Sequence, residues 1–349
     1  MHHKSRTWYY IVLTVFLTGQ LYAGDVVRLI AGGDVMLANW IQEHLETEGP
    51  AYPFQHIARI LNDADVVFAN LEAPFGTGGQ PFPKQYNFRV HPRFAATLRT
   101  GNINLVSIAN NHIMDFGAEV LQETLATLTQ HDIRFAGAGT TLADARRLTT
   151  ITVDSMTIGL LAYNLTFPQE FWATDTSAGT CFPYEEFVFS DIRHASQAVD
   201  FLIVSCHWGE ELRDTPKPYQ IRFAHQVIRK GADLVLGHHP HVVQGIEVYR
   251  GKVIAYSLGN FVFSSYSKTV KNSMLLEFHI RPDRQYSLTI HPINVYNVDV
   301  EFQPRLLEGE ERAAFLNYLA TISRELNNGD VVISNDGKLN VLTQNKPLD

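Results

Sequence analysis

Cysteine is scarce in this chain, with only Cys181 and Cys206 among 349 residues. Two thiols can build neither the multi-bridge framework of a small disulfide scaffold nor a four-thiolate zinc cage. Positive charge is thin as well. Lys and Arg number 28 against 36 Asp and Glu, a net charge of −8, and no Lys/Arg cluster offsets it locally. That balance excludes nucleic acid as a partner, because phosphate backbones are held by local positive potential. Past the first two dozen residues no apolar run is long enough to cross a bilayer. Periodic repeats and low-complexity tracts are missing, so the chain is not a solenoid or an extended linker. A G-x-S-x-G elbow is missing too, which argues against an α/β-hydrolase with a serine nucleophile.

What is present is ordinary in bulk and specific in detail. Hydrophobic residues make up 45% and charged residues 18%, the balance of a globular protein. The start, "MHHKSRTWYYIVLTVFLTGQLYAG", combines Lys4 and Arg6 with an apolar stretch from Trp8 to Leu17 and a small residue, Ala23, before Gly24. This layout predicts a secretory signal peptide over 1–23 rather than an anchor, since the apolar stretch falls short of the roughly 20 residues a span requires. Its removal leaves 26 basic against 36 acidic side chains, net −10. The protein is therefore expected outside the cytoplasm, in the periplasm or beyond it. There Cys181 and Cys206 meet oxidising conditions, but their spacing establishes no disulfide. Strand alternation sends Cys206 and His207 to opposite faces, so the thiol reads as a small buried hydrophobe.

Six short apolar runs, each readable as a buried strand, end in the same kinds of polar residue. "VVRLIAGGD" ends at Asp34, "DVVFANLE" at Asn70 and Glu72, and "INLVSIANNH" at Asn110, Asn111 and His112. "DFLIVSCHWGEE" ends at His207, with Glu210 and Glu211 following. "DLVLGHHPH" ends at His238, His239 and His241, and "KVIAYSLGN" at Ser257 and Asn260. Between them, 117–132 and 219–231 carry helical spacing, and 219–231 stops at a glycine. Alternating strands and helices predict an α/β fold whose ligands gather beyond the carboxyl ends of the strands. One such residue is an ordinary turn or cap residue; six coincidences point to one shared crevice.

Carboxylate, imidazole and amide oxygen suit a divalent ion of intermediate hardness, one or two of Mn, Zn or Fe. His239 and His241 reach one crevice only from irregular backbone, which Pro240 stiffens. In "NNHIMDFG", Asp115 can orient His112 as a general acid or cap the helix starting near Gly117. Metal, activated water and an acid together describe hydrolysis of an ester or amide, phosphate esters above all, with an anionic substrate.

These segments in this order resemble the capsule synthesis protein CapA family, the poly-γ-glutamate capsule biosynthesis group. That family is a branch of the calcineurin-like metallophosphoesterases. The resemblance rests on "GGDVML" (32–37), "NLE" (70–72), "FRV.P" (88–92), "ANNH..D.G" (109–117), "HWG.E" (207–211), "GHHPHV" (237–242) and "YSLGNFVF" (256–263). It implies a four-layer α/β/β/α sandwich with a site for two metals. By that resemblance Asp34 is a ligand, Glu72 stands where a bridging aspartate usually sits, and Asn111, His207, His239 and His241 complete the ligand set. His112 is then the acid. Arg89, Glu211 and Asn260 are candidate substrate contacts, although Arg89 can equally form a surface salt bridge. Met36 departs from the superfamily's Asp-x-His pattern and removes one donor.

Two functions follow as expectations. One is an exported metal-dependent hydrolase acting on a phosphoester or a polymer-linked ester or amide. The other is a non-catalytic envelope module that binds an anionic polymer and assists its assembly or export. Either could work beside membrane-associated polymer synthesis machinery. The expected organisation is a signal peptide over 1–23, one domain over 24–300, and a C-terminal helix with a polar tail over 301–349. The helix is expected to pack on the domain's outer face.

Overall fold

The computed structural model describes residues 26–329 and 331–341; the expected signal segment and the end of the polar tail lie outside them. Chain order begins with β1 (Val27–Met36), β2 (Val66–Leu71), β3 (Ile103–Ser107) and β4 (Arg134–Ala136). It continues with β5 (Thr149–Val153), β6 (Met156–Asn164), β7 (Phe201–His207), β8 (Leu234–His238), β9 (Ile246–Tyr249) and β10 (Lys252–Ala255). It then returns through β11 (Asn260–Phe263), β12 (Asn272–Ile280), β13 (Tyr286–Asn294) and β14 (Arg305–Leu306). One sheet runs β14-β13-β12-β1-β2-β3-β4, with β11 also paired to β1; the other runs β9-β10-β8-β7-β6-β5.

Three apolar cores separate four layers. On β2, Val67 and Ala69 face a core shared with helices α1 (Ile41–Thr47), α2 (Ala58–Asn62), α3 (Ala96–Thr100) and α4 (Gly117–Gln130). Val66 and Phe68 face the other way, onto Phe201 and Ile203 of β7 and Leu234 and Leu236 of β8. Leu202, Val204 and Cys206 of β7 then meet α5 (Val188–Ala198) and α6 (Pro218–Arg229). Period-two alternation on both sheets thus builds the α/β/β/α order that the family resemblance implies. Emptying one position of the middle core, as in Phe68→Ala, costs about 3–5 kcal/mol.

The two helices expected at 117–132 and 219–231 form over Gly117–Gln130 and Pro218–Arg229. Pro218 sits at the first helical position of α6, where its missing N–H is harmless, and Gly231 (φ +115°) follows the end. The C-terminal helix α7 (Gly309–Ser323) is largely exposed, and its apolar side, Phe315, Leu316 and Leu319, turns into the core between the two sheets. An amphipathic pattern says that one side is buried, not which layer buries it. Among the described residues, no helix is long and apolar enough to cross a membrane.

The middle core also positions the polar residues. On β2 the inward stripe Val66, Phe68 continues to Asn70; on β6, Ile158, Leu160 and Ala162 continue to Asn164. On β7 it ends at Ser205 and His207, and on β8 at His238. Register aligns these ends: Asp34 lies beside Asn70 and Asn260, and His207 lies between Asn164 and His238. The strands therefore present one polar rim where the inter-sheet packing stops.

Candidate metal centre

Asp34 enters the rim at a bulge, where the register of β1 shifts against both β2 and β11. Gly33 makes this possible: a Cβ there would lie 1.8 Å from the carbonyl oxygen of Gly259. The Asp34 amide then donates to that oxygen at 3.0 Å. Asn70 Nδ2 donates to Asp34 Oδ1 at 2.9 Å and to Glu72 Oε2 at 3.2 Å, so one amide fixes both carboxylates. Asn110 Nδ2 in turn donates to Asn70 Oδ1 at 3.2 Å, locking that amide's orientation.

The histidines come from the second sheet. Beyond β8, His239 (φ +95°) and His241 (φ +60°) both take left-handed backbone around Pro240. Such conformations cost of order 1–3 kcal/mol each in a non-glycine residue and persist only where the surroundings hold them. His241 Nδ1 lies 3.3 Å from Asp34 Oδ2 and 2.9 Å from Asn260 Oδ1, with Nε2 at 3.8 Å from Glu72 Oε1. His207 Nε2 is 2.8 Å from Asn111 Oδ1 and 3.6 Å from Glu72 Oε1.

Two donor groups result. Glu72, His207 and His239 each place a ligand atom within 4.8 Å of the others, and so do Asp34, Glu72 and His241. Glu72 belongs to both groups. Its Oε1 and His239 Nδ1 are buried without a hydrogen-bond partner, an expensive state unless something else satisfies them. Burial and the charge of Asp34 push the Glu72 carboxyl well above its ordinary range. Burial also raises Asp34, but His238 and His241 outweigh it and hold that carboxyl well below the ordinary range. Burial and His241 pull His239 down to about 3, and burial and His239 depress His207. His241, against its own burial, is raised to about 9 by Glu72 and Asp34. The site favours positive charge between two carboxylates and neutral imidazoles beside them. Oxygen and nitrogen donors without thiolate fit one or two ions of the Mn, Zn or Fe kind.

His112 stands next to ligand candidate Asn111. Its Nδ1 is 2.9 Å from Asp115 Oδ2, and the fully buried Asp115 also accepts from the amide of Phe88 at 2.7 Å. Lys84 Nζ lies 2.5 Å from Asp115 Oδ1 and donates to the Asn111 carbonyl at 2.6 Å. Burial lowers the pKa of His112 against the pull of Asp115. Asp115 makes no cap to α4: the N-cap position is Phe116, and no side chain bonds there. Of the two roles open to Asp115, the structure places it on His112.

The remaining candidates separate. Asn260 joins the cluster through His241. Glu211 is exposed on the loop after His207 and acts on Glu72 and His241 through its charge alone. Arg89 forms no salt bridge among the described residues; its guanidinium donates to the Gly78 carbonyl and lies 4.3 Å from the Phe116 ring centre. Met36 is fully buried in the helix-side core, so no donor from that position faces the centre. Cys206 faces α5 and α6, buried and free, its thiol raised by burial, as is Cys181. Asn70, Asn110, His238 and Lys84 have roles here and were not singled out as site residues from sequence. His238, 3.2 Å from Asp34 Oδ1, was one of three clustered histidines, and Lys84 sits in a segment without periodicity.

Two mixed sheets between helical layers bring carboxylates from one rim against imidazoles from the other, an α/β protein with a candidate metal centre. The model of the bacterial capsule synthesis protein PGA_cap family matches residues 28–265, and the chain belongs to that family. It is 30% identical over 278 residues to the PGA biosynthesis protein CapA of Bacillus subtilis (strain 168), covering 79% of this chain and 73% of that protein. The capsule biosynthesis protein CapA of Bacillus anthracis is 28% identical over 271 residues, covering 75% of this chain and 66% of that one. Among solved structures, a 5′-nucleotidase from Candida albicans SC5314 aligns with a TM-score of 0.45 and 12% identity, over 86% of this chain and 55% of that one.

Proposed function

We propose that the protein is an exported, metal-dependent hydrolase of the cell envelope, acting in the synthesis of a poly-γ-glutamate-type capsule. Its bond is a phosphoester, or an ester or amide linked to an anionic polymer. The observation that carries this reading is the pair of donor groups sharing Glu72, with His112 alongside on the chain segment that supplies Asn111. Bound divalent ions supply Lewis acidity and a water of lowered pKa. Asn70 keeps the two carboxylates aligned, and Asp115 holds His112 by Nδ1, leaving Nε2 to deliver a proton to the departing oxygen. The names of the relatives support the capsule role. The N-terminal pattern supports export and work beside membrane-associated synthesis machinery.

The test measures metal content alongside turnover of phosphomonoesters, phosphodiesters and γ-glutamyl polymers. Stoichiometric metal with activity restored by Mn²⁺ or Zn²⁺ is expected; metal-free protein that no ion activates would falsify the proposal. The buried Met36, which offers no donor, favours a second reading, a polymer-binding module without turnover. His112→Ala separates the two. Lost turnover with polymer binding intact marks the enzyme, and binding unchanged with no turnover in either protein marks the module.

A further inference from the structure

The segment that holds His112 carries two aromatic rings, Phe88 packed against the helix-side core and Tyr86 outside it. Phe88 is half-buried and packs on His112 with ring centres 4.6 Å apart. Tyr86 follows 6.5 Å from Phe88, its ring within 6° of parallel, and it is 60% exposed. An exposed tyrosine this close to an acid-base histidine is costly to keep for packing alone, because it buries little apolar surface. The segment is also held firmly: the Phe82 amide donates to the Asp115 backbone carbonyl at 2.8 Å, the Phe88 amide to the Asp115 carboxylate at 2.7 Å, and Lys84 grips that carboxylate. The rings therefore have a set position relative to His112.

The groups around the rings are neutral. Gln85 Nε2 donates to the Tyr86 hydroxyl at 3.0 Å. Asn87 lies between the two rings in sequence, and its Nδ2 donates to the carbonyls of Phe82 at 2.9 Å and Lys84 at 3.4 Å, which shapes the segment. The nearby cations are committed, Lys84 to Asp115 and Arg89 to Gly78. Aromatic faces carry negative charge density that attracts the C–H face of a saturated ring, while side-chain amides exchange hydrogen bonds with hydroxyls. Rings plus the exposed Gln85 amide, without free charge, are suited to a sugar rather than to a phosphate tail.

Resting on the hydrolase reading, we infer that Tyr86 and Phe88 form a subsite for a pyranose ring on the leaving-group side of the centre. The substrate is then a sugar phosphoester. Water adds to phosphorus as the bond from phosphorus to the sugar oxygen breaks. That oxygen keeps the bonding pair and takes the proton from His112 Nε2, and a proton lost by the water returns to His112. The products are the free sugar hydroxyl and inorganic or chain-linked phosphate.

The test uses the full chain loaded with Mn²⁺ and compares N-acetylglucosamine 1-phosphate with glycerol 3-phosphate, an open-chain ester. Tyr86→Ala is expected to lower kcat/KM for the sugar ester about fivefold to tenfold and leave the glycerol ester unchanged, with Tyr86→Trp restoring the difference. Calorimetric titration of metal-free protein with the N-acetylglucosamine tetramer reads the subsite without turnover, and Tyr86→Ala should weaken it by a similar factor. If wild type cleaves neither ester but Tyr86→Ala still loses the oligosaccharide, the subsite stands and the hydrolase reading falls. Equal loss on both esters, no loss on either, or a wild type that does not bind the oligosaccharide overturns the subsite.

Discussion

Glu72 and Glu277 are buried glutamates of the same sheet, set towards opposite ends of β1. Glu277, opposite Ile30, has every oxygen engaged: Arg28 Nε at 2.6 Å, His291 Nε2 at 2.6 Å and His279 Nε2 at 3.0 Å. Burial raises its carboxyl, yet Arg28 and His291 outweigh that and leave it below the ordinary range. Glu72 has Asp34 for a neighbour, one unpartnered oxygen and a carboxyl driven upward. The same residue type is thus satisfied by the protein at one end and left wanting a cation at the other. Stability is built in the first place and given up in the second, which is where a site is expected.

Breaking the contrast at its centre should have the largest effect. Glu72→Gln removes the carboxylate shared by both donor groups, so metal content should fall from two ions to near zero and turnover by about 10²-fold or more. Elemental analysis and steady-state kinetics read both; a variant retaining two ions ends the two-group description. Asp34→Asn and His207→Ala each strike one group only and should leave about one ion.

Next comes Glu277→Ala, which strands Arg28 and should cost about 3 kcal/mol by denaturant unfolding while metal content stays unchanged. The pH dependence should then separate the two residues by sign. Glu277 has a depressed carboxyl, so its contribution is present above the unfolded value of about 4.3 and lost as pH falls through the folded one. In metal-free protein Glu72 behaves oppositely, its contribution being present below about 4.3 and lost as pH rises through its raised value. Unfolding free energies measured from acid to neutral pH should therefore show a shallower acid-side fall in Glu277→Gln, with Asp34 and other depressed carboxylates supplying the rest. Metal-free Glu72→Gln should gain stability towards neutral pH, by about 1 kcal/mol. The smallest effect belongs to Arg89→Ala. Loss of its packing on Phe116 should cost about 0.5–1 kcal/mol and leave metal content intact.

Much of the site was legible because polar residues interrupt apolar strands at one end, and alternation says which face they share. Asp34, Glu72, Asn111, His207, His239 and His241 converge as that reasoning requires. Lys84 was illegible for a physical reason. Its segment has no period, and its place depends on a latch to Asp115 that only tertiary structure supplies. His238 was visible but indistinguishable from its neighbours until strand register sent it inward onto Asp34. Arg89 shows the converse, a cation near the right motif whose guanidinium is spent on Gly78 and Phe116. For α7, helical periodicity identified the element, but the layer it fills follows from how the two sheets leave their shared edge open to Phe315 and Leu319.

The turn carrying His239 and His241 takes left-handed backbone on both sides of Pro240, and Pro240 fixes its own φ. A ring that narrows what the unfolded chain can sample lowers the entropy cost of bringing two imidazoles to one rim.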